Sequence, residues 1–258
     1  MDWKAKRCVV LDMDGTIYLG NNPIAGAVAF VQRHWNDLDF YFLSNNTSKS
    51  PKTYVDKLNG MGIAAREELF LSPTTPLVDY LRANAITRAY VVGNSDFQAD
   101  LRRRLPTLEQ TAEQAQAVIL AYDTELTYEK LSRSALLLQQ PDVQFLATHP
   151  DLVCPSPEGP LPDVGSMLAL YETATGRRPQ YIFGKPDPNV LAPLLARYQK
   201  EAMVMVGDRL STDKKLAENA GIDFILVLSG EATLEDVRKE ARQPTLIVEH
   251  LGLANSAA

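Results

Sequence analysis

Cysteine is scarce in this chain: Cys8 and Cys154 are the only two among 258 residues. Two thiols, one in an apolar run and one beside prolines, build no disulfide framework, so a reducing compartment is expected and neither thiol is read as a nucleophile. Long hydrophobic runs are missing as well. No window approaches the roughly 18 apolar residues a spanning helix needs, and Met1-Asp2-Trp3-Lys4 opens no apolar leader, which predicts a cytoplasmic protein without a membrane partner. Excess positive charge is also lacking. With 26 Lys and Arg against 32 Asp and Glu, the net charge is −6. That argues against a nucleic acid polymer as partner, while leaving room for a local anion site. His34 and His250 read as surface residues. Trp35 and the tyrosines fall at positions suited to packing, so none is assigned to a cofactor or nucleotide stack.

What is present reads as a globular protein, 45% hydrophobic and 22% charged, long enough for one large domain or two modest ones. Strand and helix patterns alternate throughout. Cys8-Val9-Val10-Leu11 reads as a buried strand, Gly26 to Trp35 as a helix and Phe40-Tyr41-Phe42-Leu43 as a second strand, together a βαβ unit. Lys52 to Met61 and Pro73 to Asn84 read as helices. Three further strands, Arg88 to Val92, Ala117 to Ala121 and Gln144 to Thr148, alternate with helical stretches from Asp96 and from Tyr128. Pro150 to Pro162 holds five prolines and reads as a structured loop; a helix follows to Thr175, ended by Gly176. Tyr181-Ile182-Phe183, a helix from about Pro188 to Tyr198, and the strands Met203 to Val206 and Ile222 to Leu228 resume the first pattern.

Chemistry concentrates where strands end. Asp12-Met13-Asp14-Gly15-Thr16 directly follows the first strand, and the carboxyl ends of parallel strands are where open α/β sheets bind ligands. Ser44-Asn45-Asn46 ends the second strand at the same edge if the two are parallel. Lys185 follows Gly184, and Asp208, followed by Asp213, ends the strand from Met203. Carboxylates of this kind suit a hard, oxygen-ligated ion such as Mg²⁺, while lysine, hydroxyl and backbone amides suit phosphate oxygens. Each piece also has a plain reading: a polar turn at Asp12 to Thr16, turn residues at Ser44 and Asn45, a helix-terminal carboxylate at Asp213.

Taken together, Asp-Met-Asp-Gly-Thr, Leu-Ser-Asn-Asn, Gly-Lys-Pro and Val-Gly-Asp-Arg-Leu-Ser-Thr-Asp resemble the four ordered motifs of the haloacid dehalogenase superfamily. Ala147-Thr148-His149-Pro150-Asp151 and Leu228-Ser229-Gly230-Glu231 extend the resemblance to the NagD-like phosphatase branch. It implies a Rossmann-like parallel-sheet core with an inserted second α/β domain, and a phosphatase of small phosphate monoesters. On that resemblance Asp12 is the nucleophile, carrying the phosphoryl group as an aspartyl phosphate, and Asp14 is the acid and base. Ser44, Asn45, the amides around Gly15, and Lys185 hold phosphate. Mg²⁺ is bound by Asp12, the main-chain carbonyl of Asp14, and Asp208, with Asp213 orienting Lys185 or bound water. Lys214 and Lys215 read as surface charge.

Between Ser44 and Lys185 there is room for a compact α/β insertion, so the expected domains are residues 1–82 with 181–258 as the core and 83–180 as the cap. A cap excludes large substrates and favours a small phosphorylated metabolite; Thr148, His149 and Asp151 are its candidate substrate contacts. The family more often carries asparagine at the position of His149. A phosphotransferase or phosphomutase on the same scaffold, and a non-catalytic phosphometabolite-binding protein, are the competing expectations. A homo-oligomer is compatible with the sequence.

Overall fold

The structure is a computed structural model that describes residues 2–24, 26–156 and 158–254. Pro157, one of the five prolines noted above, lies outside the described residues. The chain divides into two compact units: the first comprises Met1–Ser44, Pro51–Leu71 and Lys185–Ala258, the second Asn45–Ser50 and Ser72–Gly184. Among the described residues, no helix is long and apolar enough to cross a membrane.

The first unit is built on a six-stranded sheet ordered Leu246–Val248, Asp223–Val227, Met203–Gly207, Cys8–Asp12, Asp39–Leu43, Phe70–Leu71. Every neighbouring pair is parallel. The two central strands are buried along their whole length, which is why they read as unbroken apolar runs. Alternate residues serve opposite faces: Val9, Leu11, Val204 and Val206 join one core cluster, Cys8, Val10, Met203 and Met205 the other. The first cluster takes the helix Ala27–His34 through Phe30 and Val31; the second takes Leu216, Ala217 and Ala220 of the helix Lys215–Ala220. The sheet is thus doubly wound, and its topology brings the carboxyl ends of Cys8–Asp12, Asp39–Leu43 and Met203–Gly207 to one edge.

The second unit has a five-stranded parallel sheet ordered Tyr181–Ile182, Gln144–Ala147, Ala117–Leu120, Arg88–Val92, Glu109–Gln110. It too has a core cluster on each face. Two assignments differ from the sequence expectation. The helix Thr74–Ala83 belongs here rather than to the core, because Leu77, Val78 and Leu81 pack with Ile86, Val91 and Ile119 of this unit. Tyr181–Ile182 also belongs here, because it pairs with Leu146 and Ala147. The units therefore divide at Ser72 and after Gly184, not at 82/83 and 180/181. The proline-rich stretch contains a short antiparallel pair, Val153–Cys154 with Leu161–Pro162, and the helix Val164–Thr175 ends at Gly176 in the left-handed region, as read.

Candidate active site

Parallel register sets the site's height. Asp12 lies opposite Leu43, and Leu11 opposite Val206, so Asp12, Ser44 and Asp208 leave the sheet at one level. After Asp12 the chain turns: the Met13 carbonyl accepts the N–H groups of Thr16 (3.2 Å) and Ile17 (2.8 Å), and Gly15 sits at φ +84°. Only glycine enters that region without strain. A second constraint acts on the same residue, because a Cβ on Gly15 would overlap the Asp208 carboxylate. The Gly15 N–H donates to the Tyr18 carbonyl at 2.7 Å. Its amide, expected to hold phosphate, is therefore spent on the turn, and the contribution of Gly15 is to let Asp208 approach.

Lys185 joins the site's carboxylates. Its Nζ donates to Asp12 and, at 2.6 Å, to Asp213 Oδ1. Lys185 is 3% and Asp213 0% exposed, so this is a buried ion cluster rather than a surface pair. Asp213 Oδ2 accepts the Arg209 N–H at 3.1 Å, which fixes the carboxylate from the other side. The turn Leu210–Lys214, wound wider than an α-helix, carries Asp213 back under Gly207, where a Cβ would run into its carboxyl group. Lys214, read as surface charge, is buried: the wide turn directs it to Glu218 (2.5 Å) and Glu240 (2.7 Å).

Asp208 is held by backbone that the sequence reading did not assign. Its Oδ2 accepts the Glu231 N–H at 2.8 Å, and a Cβ on Gly230 would overlap the same oxygen. Ser229 Oγ donates to the Gly15 carbonyl at 2.7 Å, tying this loop to the first turn. The one signal for these residues was Ser-Gly-Glu directly after an apolar strand. Asp208 Oδ1 is buried with no hydrogen-bond partner, a costly condition for a carboxylate oxygen.

Charge follows from this geometry. Burial, then the neighbouring Asp213 charge, raises the Asp208 carboxyl to about 7 against the opposition of the Glu231 N–H, Arg209 and Lys185. Burial likewise lifts Asp12 well above the usual carboxylate range; Lys185 opposes the shift, and Asp213 and Asp208 add to it. For Lys185, burial alone favours the neutral amine, but the attraction and hydrogen bonds of Asp12 and Asp213 outweigh it, so the ammonium persists. Asp12, Asp208 and Asp213 each place a carboxylate oxygen within 4.8 Å of the others. When ionised, the three carboxylates carry more negative charge than one lysine balances, an excess that a divalent cation in place of protons would meet.

The remaining expected residues divide between the units. Asp14 is exposed within the turn, and Ser44 is half-buried, its N–H donating to the Leu71 carbonyl at 3.2 Å. Asn45 falls in the second unit, where its Nδ2 donates to Asp151 at 3.2 and 3.3 Å. Of the three residues expected to contact substrate, Thr148 and His149 are wholly buried and Asp151 is partly exposed. The Thr148 hydroxyl lies 3.4 Å from that of Thr47, inside the same unit.

Two family models match the chain, one described as haloacid dehalogenase-like hydrolase over residues 9–104 and one as HAD-hydrolase-like over residues 182–254. The chain belongs to the haloacid dehalogenase-like hydrolases, in their NagD-like branch. It is similar to an acid sugar phosphatase of Staphylococcus haemolyticus, with 30% identity over 96% of this chain and 94% of the other. It also resembles the 4-nitrophenylphosphatase of Thermotoga maritima, with 36% identity, a TM-score of 0.90, and 97% and 96% of the two chains covered. A glycerol phosphate phosphatase of Mycobacterium tuberculosis, solved with magnesium, gives 29% identity and a TM-score of 0.86 over 96% of this chain and 76% of that one.

Proposed function

We propose that the chain is a Mg²⁺-dependent phosphatase that hydrolyses small phosphate monoesters through an aspartyl phosphate on Asp12. The observation that carries this reading is the buried cluster in which Lys185 bridges Asp12 and Asp213 beside Asp208, whose Oδ1 has no partner. The donor set fits a hard cation: all ligands are oxygen, and the orphaned Asp208 Oδ1 supplies a lone pair that nothing else uses. Asp12, Asp208 and the main-chain carbonyl of Asp14 would hold it. Bound there, Mg²⁺ contributes positive charge against the phosphate oxygens and keeps the carboxylates ionised.

An ionised carboxylate is a weak nucleophile, so Asp12 depends on position. Lys185 fixes its orientation and offers charge to a phosphate oxygen, and Asp213 in turn holds Lys185. Ser44 supplies a hydroxyl at the same sheet edge. Asp14, exposed within the turn that follows Asp12, is the residue able to exchange a proton first with the leaving alkoxide and then with water. Attack by Asp12 forms the P–O bond as the alkoxide leaves with the proton from Asp14. Water then cleaves that bond at phosphorus, giving its proton back to Asp14 and releasing inorganic phosphate.

The relatives named for sugar phosphate, glycerol phosphate and 4-nitrophenyl phosphate support a small phosphorylated metabolite as substrate. The test is hydrolysis of p-nitrophenyl phosphate and a panel of sugar and polyol phosphates, with Mg²⁺ and with chelator. Activity in Mg²⁺, lost in chelator and lost by at least about 10³-fold in Asp12→Asn, is the expected result. Full activity in chelator would overturn the metal assignment, and full activity in Asp12→Asn the nucleophile.

A further inference from the structure

His149 has an environment that the proposed chemistry does not use. It is 0% exposed, and neither ring nitrogen has a hydrogen-bond partner among the described residues. Each nitrogen faces a carboxylate: Nδ1 lies 3.7 Å from Asp151 Oδ2, and Nε2 lies 3.5 Å from Asp163 Oδ1. The His149, Asp151 and Asp163 donor atoms fall within 4.8 Å of one another, all inside the second unit. A wholly buried imidazole with neither nitrogen hydrogen-bonded is costly unless a further group satisfies it.

We propose that His149, Asp151 and Asp163 form a second divalent-cation site, separate from the Asp12–Asp208–Asp213 cluster and selective for a nitrogen-accepting transition ion of the Zn²⁺ type. Three observations point there. The separation of 3.5 Å between Nε2 and Asp163 Oδ1 lies near the spacing of about 3.3 Å between two ligands on a tetrahedral ion with bonds of about 2.0–2.1 Å, and one donor atom from each of the three residues falls within 4.8 Å of the others. The ligand segments are fixed before any ion arrives: Asp163 Oδ1 caps the helix Val164–Thr175 by accepting the Val164 N–H at 2.7 Å, and the Gly165 N–H donates to the Asp151 carbonyl at 2.8 Å. A Cβ on Gly165 would overlap the Pro150 carbonyl, so the helix start and the ligand loop are in direct backbone contact. Asn45 Nδ2 then steadies Asp151 from outside the set.

One ring nitrogen and one oxygen from each carboxylate give three protein ligands, and water completes the shell. The imidazole separates this site from the other cluster. An all-oxygen set suits Mg²⁺, whereas a nitrogen ligand raises affinity along the first-row series toward Zn²⁺.

The experiment titrates Zn²⁺ alone into the metal-stripped full chain, in excess Mg²⁺ to fill the all-oxygen cluster, followed by calorimetry and by the imidazole ¹⁵N shifts of His149. One equivalent of Zn²⁺ and a displaced His149 shift are expected. Asp163→Asn, which preserves a good helix cap, should weaken binding at least tenfold, and Asp208→Asn should leave it unchanged. An unmoved His149 signal in the wild type would overturn the proposal, as would Zn²⁺ binding that Asp208→Asn abolishes and Asp163→Asn does not. These readouts involve no turnover, so they stand or fall independently of the phosphatase reading.

Discussion

Gly230→Ala tests how closely backbone supports the Asp208 carboxylate proposed to hold the metal. The added methyl would sit 2.5 Å from Asp208 Cγ and 2.6 Å from its Cβ, and would overlap Oδ2. Gly230 is not in the left-handed region, so alanine brings no backbone strain and the contact alone is tested. Two relaxations are open. If the Asp208 side chain turns away, it loses the Glu231 N–H, a hydrogen bond to a charged group worth about 1.5–3 kcal/mol. If the loop from Ser229 to Glu231 moves instead, overpacking costs about 1–3 kcal/mol and the Ser229 bond to Gly15 is strained. Either way the protein loses about 1–3 kcal/mol of stability; Asp208 is redirected in the first case and loses the backbone that holds it in the second. At about 1.4 kcal/mol per tenfold, the Mg²⁺ concentration for half-maximal p-nitrophenyl phosphate hydrolysis should rise tenfold or more. The control is Gly60→Ala at the end of the helix Pro51–Gly60, where the methyl meets nothing within 4 Å; it should leave the Mg²⁺ dependence unchanged. Urea unfolding and a Mg²⁺ titration measure both quantities. A Gly230→Ala protein with wild-type stability and a wild-type Mg²⁺ midpoint would refute the reasoning.

Two further outcomes follow from the buried charges. Lys185→Met leaves Asp12 and Asp213 facing each other without their shared cation. In chelator at pH 7 it should cost about 3–5 kcal/mol by denaturant unfolding, shrinking in acid as the carboxylates take up protons; a loss under about 1 kcal/mol would contradict the pairing. For Asp208, whose folded carboxyl is raised from 3.8 to about 7, the native state binds the proton more tightly than the unfolded state does. Its contribution to the metal-free protein therefore favours folding in acid and is lost as pH rises between those two values. Asp208→Asn should flatten that part of the stability–pH curve, and a curve of unchanged slope would count against it.

The parts of this molecule legible in the sequence are those where local pattern and tertiary role coincide. Cys8–Asp12 and Met203–Gly207 are apolar without interruption because both faces of a parallel strand are covered, so each strand and the polar residue ending it could be read together. Asp213 was singled out through the resemblance, which puts a carboxylate at that spacing after Asp208; the residues alone left a helix-terminal carboxylate open. Sheet membership was not: Tyr181–Ile182 is two residues long, and nothing in so short a run says whether it pairs with Leu146 or with the first sheet. The helix Thr74–Ala83 shows its apolar stripe but not the surface that receives it. Lys214 looked solvated because paired lysines usually are; the wide turn Leu210–Lys214 directs it inward instead. Backbone donors carry no side-chain signature, so the Glu231 N–H on Asp208 and the capture of the Gly15 amide by Tyr18 emerged only from the fold.

The central claim is a covalent phosphoryl group on Asp12. Acid quenching of the enzyme during turnover of p-nitrophenyl phosphate in Mg²⁺, followed by peptide mass spectrometry, tests it directly. One phosphoryl group is expected on the peptide containing Asp12, absent from Asp12→Asn and accumulating when Asp14 is replaced by asparagine. Steady hydrolysis with no acyl phosphate at Asp12, or with the phosphoryl group on another residue, would contradict it.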